Sequence, residues 1–492
     1  MSAETALRLP TDAAALLRRA ASAHKNPVYL VGGAVRDYLL GRPVVDLDLA
    51  TVKASVLARQ LAASFKVKLI VLDEVNEVFR LVLPRGPGTV RQLDLAELAG
   101  GTIEKDLERR DFTVNALAVP LDGGTPGALI DTRGGLKDLR DKILRAETDE
   151  LFKSDPLRLL RAFRLSAQLG FAVEPATVRL ISGVRHRISK PAAERVQSEL
   201  MLLLAESGCA KVLKEMDACG LLTALFPDLE PSRKCALVYY GEGGVLKHSL
   251  DTAARADYLL HHLDAVYPEH AGRIKELMPP PAVVMLAALL HDVSKAETAK
   301  QVGGRLRFFG HDVVGGRRSA EIMKRLKYPR ASIETVSAIV SNHLRPGNLA
   351  ASGVPTDKAA YRFFRDLGKD ALGLLLVCWA DHASYLSEER VIKALKVASA
   401  EPGEGLSKLK PEEVRKTVHH LQVVSFLIAR LLDEPGKAAP PRLLDGNEVM
   451  KAMDLPAGPE IGKWLERLSE AQAVGRVKTR AEAIAFLKKA KK

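Results

Sequence analysis

The chain of 492 residues is predicted to fold as an α/β head followed by a mostly α-helical, multi-domain body. Three observations predict this. The first part carries short β-branched runs broken by Gly and Pro, and from about Leu151 the apolar spacing becomes helical almost throughout. The length corresponds to about three domains at roughly 150 residues each. Hydrophobic residues make up 47% and charged residues 27%, but aromatics only 5%, so the chain is globular and its core is drawn from aliphatic helices.

In the head, Ala13–Ala23 has a helical pattern, Val28–Val31 reads as a strand, and a Gly-Gly turn leads into a helix over Val35–Leu40. Strands are expected around Leu47–Ala50, Lys68–Leu72, Val78–Leu83 and Val90–Leu95, interrupted at Pro84, Gly86 and Gly88. In the body, Gly241-Glu-Gly-Gly244 is a flexible joint and Met278-Pro-Pro-Pro281 a stiff lead into an apolar helix. The loop-rich stretches Glu401–Gly405 and Pro435–Pro441 set off the C-terminal segment. The division is therefore 1–145, 146–240, 241–402 and 403–492.

Lys and Arg total 73 against 60 Asp and Glu, a formal charge of +13 that suits a polyanionic partner, nucleic acid foremost. The four cysteines (Cys209, Cys219, Cys235, Cys378) form no CxxC pair, which fits a reducing compartment and argues against a thiolate zinc site. No apolar run reaches the ~18 residues of a membrane span, and Met1–Pro10 lacks a secretory pattern, so a cytoplasmic protein with no membrane partner is expected.

The sharpest motif is Leu30-Val-Gly-Gly-Ala-Val-Arg-Asp37, followed by Asp46-Leu-Asp48. Gly32 and Gly33, between a strand and a helix, let backbone N–H groups approach a phosphate, and Arg36 lies one turn in, within reach of a triphosphate. Asp46 and Asp48 stand at i and i+2 of a strand, so both carboxylates share a face and can hold the same divalent cations, in the manner of Mg²⁺ during phosphoryl transfer. In Asp155-Pro-Leu-Arg158, Pro156 suits the first turn of a helix with Asp155 near its N-cap. Arg158, Arg161 and Arg164 then share one broad face, and a guanidinium cluster beside an Asp can read a base edge.

These segments resemble the class II tRNA nucleotidyltransferase (CCA-adding enzyme) and bacterial poly(A) polymerase family, within the polymerase-β-like nucleotidyltransferases. Arg109-Arg-Asp-Phe-Thr-Val-Asn-Ala116 resembles that family's ribose-selecting motif, Ile130–Asp138 its head-to-neck hinge, and Glu194–Leu200 its fifth motif. The resemblance implies Asp46 and Asp48 as catalytic Mg²⁺ ligands and Asp155 with Arg158 as the base-selecting pair. It places nucleotide contacts on Gly32, Gly33, Arg36, Asp37, Arg110, Asp111, Asn115, Arg161 and Arg164, with Asp94 a candidate third acid. Two departures stand out. Ser154 occupies a position where the family commonly has Glu, and only Ala96-Glu-Leu-Ala-Gly-Gly101 separates a strand near Leu95 from a helix at Ile103. Full CCA-adding members carry a longer loop there, and the short form resembles enzymes that add two cytidines and leave the adenosine to a separate A-adding enzyme.

In the body, His248, His291-Asp292, His311, His343 and Asp381 form an ordered His/Asp series suited to divalent cations. It resembles the HD phosphohydrolase superfamily, which implies a metal site at His248, His291, Asp292 and Asp381, with His311 and His343 for a second metal or phosphate and Lys295 facing phosphate. The segments Leu443–Met450, Gly458–Gly462 and Glu482–Ala483 resemble the family's terminal helical module, and the Lys488–Lys492 tail suits phosphate contact. The expected reaction is template-independent addition of CMP from CTP to a tRNA 3′ end, with CC addition favoured. Full CCA or A addition using ATP, poly(A) synthesis, and an HD-type RNA phosphohydrolase remain as alternatives.

Overall fold

The computed structural model describes residues 11–84, 90–122 and 125–491. The Met1–Pro10 stretch, the Gly86 and Gly88 breaks and Lys492 of the basic tail lie outside the described residues. The chain divides into two compact units, Met1–Pro191 and Ala192–Lys492.

The first unit is built on a sheet of β1 (Val28–Val31), β2 (Asp46–Thr51), β3 (Leu69–Asp73), β4 (Val78–Val82), β5 (Gln92–Glu97), β6 (Leu117–Asp122), β7 (Thr125–Pro126) and β8 (Ile130–Asp131). The order is β3-β4-β5-β2-β1-β6-β7, with β8 also on β6; β2 and β5 run parallel and the other pairings are antiparallel. Helices α1 (Thr11–Ala23), α2 (Gly33–Leu39), α3 (Ala54–Phe65), α4 (Ile103–Arg109), α5 (Gly135–Asp141), α6 (Glu150–Ser154), α7 (Arg158–Leu169) and α8 (Pro175–Val184) complete it. The alternation in β2 fixes the register. Leu47 and Leu49 are at most 1% exposed, so Asp46 and Asp48 must point to the other face. A slip of one residue would bury both carboxylates and expose two leucines, each worth about 2 kcal/mol of burial.

The expected strands of the head are present within a residue or two. The start of α7 differs from expectation. It begins at Arg158 rather than around Pro156, because Asp155 is extended and its carboxylate accepts from the Leu157 N–H at 3.3 Å. A tight turn then closes from the Arg158 N–H to the Asp155 carbonyl at 3.1 Å. Asp155 is thereby held at the mouth of the helix, not inside its first turn.

The second unit is helical. Pro281–Leu290 and Ala371–Ala383 are apolar nearly all round and almost wholly buried, as such helices must be. Around them pack Gly244–His261, Arg330–Asn342 and Glu412–Asp433, and His311–Arg325 packs in turn on Arg330–Asn342. The mostly helical body also contains a short hairpin, in which Lys300–Val302 pairs antiparallel with Arg305–Arg307. Its two-residue turn uses Gly303 and Gly304, at φ of 56° and 70°, where side chains with a Cβ are disfavoured. The C-terminal helices Gly446–Met453, Pro459–Ala473 and Arg480–Lys491 share a core of their own around Val449, Trp464 and Leu487. The first of these carries a capping box between Asp445 and Glu448. Among the described residues, no single helix is long and apolar enough to cross a membrane.

Candidate active sites in the head and the helical body

A cavity of about 1350 Å³ opens on the head sheet, and its walls bring together the motifs read from the sequence. Gly32, Asp46, Asp48, Asp94, Arg110, Asp155, Arg158, Arg161 and Arg164 all line it. Acidic side chains outnumber arginines on these walls, so a nucleotide triphosphate enters favourably only together with cations.

Asp46 is exposed and Asp48 half-buried on the cavity face of β2. Burial raises the Asp48 pKa to about 6; Asp94 and Asp46 push the same way, and Arg110 and Arg161 oppose them. Asp48, buried and reluctant to ionise, fits a divalent cation that would discharge it, with Asp46 beside it on the same face. Asp94 lies in register beside Asp48, but Arg80 grips it through two bonds of 2.8 and 2.7 Å. Arg80 carries no motif signal; its placement opposite Asp94 follows from the β4–β5 register. Gly32 adopts a φ of 71°, and a Cβ there would stand 2.8 Å from Arg110 Nη1. Only glycine lets that guanidinium close over the turn beside Asp48.

Arg36 is buried, with Nη1 donating to Asn115 Oδ1 at 2.6 Å and Nε and Nη2 donating to Asp37 at 2.9 Å each. It braces the Gly-Gly turn against the Arg109–Ala116 segment and, with Gly33, Asp37, Asp111 and Asn115, also lines the cavity. Asp111 is a second brace: it accepts from the Phe112 N–H and Asn115 Nδ2 at 2.8 Å each and pairs with Arg161 Nε at 3.0 Å. Burial pushes its pKa up, but Arg161 and Asn115 outweigh this and hold it below the usual carboxylate range. Arg110 is steered by Asp106 at 2.8 Å. Arg133, from the expected hinge, donates to the carbonyls of Leu107 and Arg110 at 3.2 and 3.0 Å. Arg158 reaches the carbonyls of Leu151 and Arg109, so the selecting helix and the Arg109–Asp111 segment are tied together. Ser154 is turned to the Leu151 carbonyl at 3.0 Å.

The connection after β5 is short and fixed. A single turn, Ala99–Gly101, carries the chain from Glu97 to Ile103. Leu98 is buried, its N–H donates to the Thr51 carbonyl at 3.1 Å, and Ala99 N–H donates to Asp106 Oδ1 at 3.3 Å. Glu97, which carries no motif signal, receives the N–H groups of Lys53 and Ala54 and so caps α3.

In the second unit, the six His/Asp residues converge into two triads, His248/His291/Asp381 and Asp292/His311/His343. Asp292 joins them. Its Oδ2 lies 3.4 and 3.1 Å from the Nε2 atoms of His248 and His291, and its Oδ1 lies 3.4 and 3.5 Å from those of His311 and His343. The outer ring nitrogens are occupied. Nδ1 of His291, His311 and His343 donates to the carbonyls of Ala288, Phe308 and Val340 at 2.8, 2.7 and 2.7 Å. That arrangement fixes the tautomer and turns each Nε2 lone pair inward. Asp292 Oδ1, Asp381 Oδ1 and His311 Nε2 are buried without a hydrogen-bond partner. Orphaned ligand atoms of this kind fit divalent cations, which His248, His291 and Asp381 on one side and Asp292, His311 and His343 on the other would hold. Burial lowers the basicity of His248, but Asp292 and Asp381 overcome it and lift the pKa to about 9. Lys295 donates to Asp292 Oδ2 at 2.5 Å and to the Tyr240 hydroxyl at 2.8 Å, placing a cation at the rim.

The sequence matches three known domain families: a Poly A polymerase head domain over residues 28–145, a probable RNA and SrmB-binding site of polymerase A over 170–232, and an HD domain over 245–386. It is 34% identical over 475 residues to an A-adding tRNA nucleotidyltransferase of Deinococcus radiodurans, covering 94% of each chain. It is equally 34% identical over 466 residues to a CC-adding tRNA nucleotidyltransferase of Thermus thermophilus, covering 93% of this chain and 92% of that one. The fold matches a Thermotoga maritima CCA-adding enzyme complexed with tRNA at a TM-score of 0.64 and 20% identity, covering 99% of this chain and 97% of that one. Sequence identity sustained over more than nine-tenths of two relatives makes this protein a member of the tRNA nucleotidyltransferase family, with a poly(A)-polymerase-type head and an HD domain.

Proposed function

We propose that the protein adds two cytidines, from CTP and with Mg²⁺, to the 3′ end of tRNA and leaves the terminal adenosine to a separate A-adding enzyme. The observation that carries this reading is the fixed five-residue link between Glu97 and Ile103. Its buried Leu98 and its bonds to Thr51 and Asp106 hold that link against the sheet and α4, which supports a cavity that is not reshaped by this segment between additions. Asp46 and Asp48 would hold the cations, whose chemistry is to make the 3′-hydroxyl a better nucleophile and to neutralise the departing pyrophosphate. Arg110 is positioned beside Asp48 to meet triphosphate charge. Asp155 and Arg158, at the mouth of α7, offer an acceptor and donors to a cytosine edge. Arg36, Asp37, Asp111 and Asn115 keep these groups in place. The division at 145, 240 and 402 belongs to the same reading, as does a cytoplasmic setting for its four free cysteines.

Purified protein with Mg²⁺, CTP and ATP, given tRNA transcripts ending before CCA, after C and after CC, tests this by product length. Two added cytidines followed by arrest are expected. Completion to CCA, adenosine added only to the CC-ended transcript, or a long adenosine tail would each overturn the CC assignment.

The inward-facing histidines and carboxylates of the second unit favour a further activity. We infer a phosphohydrolase acting on phosphate-blocked RNA 3′ ends. Water adds to phosphorus, the bond from phosphorus to a ribose oxygen breaks, and that oxygen leaves with the water's proton. Release of the 3′ block from RNA ending in a 2′,3′-cyclic phosphate, lost in His291→Ala, is the expected result. Equal rates in wild type and variant would remove this reading.

A further inference from the structure

Beside the His/Asp cluster lies a second cavity, of about 820 Å³, lined by Val238, Tyr239, Arg305, Arg307, Phe309 and His311 among others. It is large enough for a nucleotide. Its rim exposes apolar and aromatic surface that a folded chain ordinarily hides: Val238 is 79% exposed, Phe309 70% and Tyr239 52%. These side chains are held in place from below. The Tyr239 hydroxyl donates to the Leu306 carbonyl at 3.1 Å, locking the Leu237–Tyr240 helix to the Lys300–Arg307 hairpin. Lys300, Arg305 and Arg307 are exposed on that hairpin, and none has an acidic partner among the described residues. The chain leaving the hairpin is tied directly to the cluster. The Phe308 carbonyl accepts from His311 Nδ1 at 2.7 Å, and the Phe308 ring lies 5.7 Å from Lys295 Nζ.

We propose that this ledge seats the terminal nucleotide of a single-stranded RNA, with its base against Tyr239 and Phe309 and its 3′-phosphate directed toward His311 and Lys295. Exposed aromatic faces interleaved with unpaired cations bind single strands through stacking and backbone charge, without demanding a particular base. A purely apolar protein surface would match the rim but would leave the three cations uncompensated. The charge pattern therefore favours RNA. The assignment rests on the phosphohydrolase reading of the cluster and supplies what that cluster lacks, a means of distinguishing an RNA end from any small phosphate ester.

The test uses the full chain and two readouts. An unstructured RNA ending in 4-thiouridine 3′-phosphate is photocrosslinked and the adducts are mapped by mass spectrometry. Adducts on Tyr239 or within Phe308–Phe309, reduced about tenfold in the Tyr239→Ala/Phe309→Ala double variant, are expected. Hydrolysis of cytidine 2′,3′-cyclic phosphate is then compared with that of bis(p-nitrophenyl) phosphate, which has no base. The double variant is expected to raise KM about tenfold for the cytidine ester alone, the size a lost stacking contact gives. Ledge adducts without any hydrolysis keep the seat and remove the phosphohydrolase reading. Hydrolysis with adducts only elsewhere and an unchanged KM overturns the seat while keeping that reading. Free CMP displacing the RNA at equal concentration would make this a mononucleotide site and overturn the RNA assignment. Self-association abolished by the double variant, with no adduct, would show the ledge to be an interface between copies of the chain.

Discussion

Asp48 and Asp94 stand side by side on the parallel strands β2 and β5, yet their carboxylates are in opposite conditions. Arg80 chelates Asp94 from β4, at 2.8 and 2.7 Å, whereas Asp48 faces the cavity with its pKa lifted to about 6. The pairing leaves Asp94 ion-paired to Arg80 beside a cavity-facing Asp48. Arg80→Ala would leave that charge uncompensated next to Asp48. The variant is expected to lose about 1–2 kcal/mol of stability without metal and to recover most of it in saturating Mg²⁺, as thermal melts with and without Mg²⁺ would reveal. A loss of the same size in both conditions would show that Arg80 serves packing alone.

The raised Asp48 pKa also sets a pH dependence. Burial favours its protonated form, and a protonated carboxyl is a poor cation ligand, so cation binding must displace the proton. Mg²⁺ affinity of the nucleotide-free head is expected to be flat above pH 6 and to fall about tenfold per unit below it. Calorimetry in buffers of different ionisation enthalpy would register about one proton released per site near pH 5.5, and none in Asp48→Asn.

Asp111 is a buried carboxylate held by Phe112, Asn115 and Arg161. Asp111→Ala removes the acceptor and leaves the partners unsatisfied, at a cost of about 2–4 kcal/mol. Because Arg161 is half-exposed, Arg161→Ala is expected to cost less, about 1 kcal/mol, while still weakening CTP binding. Urea unfolding of the two variants gives the ranking directly, and the reverse order would refute this account of the brace.

For the His/Asp cluster, the two triads, with Asp292 of one lying against His248 and His291 of the other, predict two divalent ions per chain. His311→Ala with His343→Ala is expected to lower metal content from about two to one, and Asp292→Ala to lower it toward zero. Elemental analysis after dialysis measures this. Head-catalysed nucleotide addition should stay within about twofold of wild type in both variants.

Much of this was legible in the residues alone. The Leu47/Leu49 alternation with Asp46/Asp48 determines which face each side chain takes, because burying two leucines leaves the aspartates only one place to go. The Gly32–Gly33 turn, the Arg158/Arg161/Arg164 face and the all-apolar helices Pro281–Leu290 and Ala371–Ala383 are local patterns of the same kind. The short link at residues 98–102 is simply a length. What the tertiary structure decided is pairing between segments distant in sequence. Arg80 meets Asp94 through a strand register, Arg36 meets Asn115 across 79 positions, and Asp292 divides its two oxygens between histidines from four different segments. No periodicity encodes such partners. They are fixed by which apolar faces pack together, and each polar group then finds whatever donor or acceptor that packing brings within about 3 Å. The same holds for the Lys300–Arg307 hairpin, too short to stand out in a helical background until Gly303 and Gly304 fold it against Tyr239.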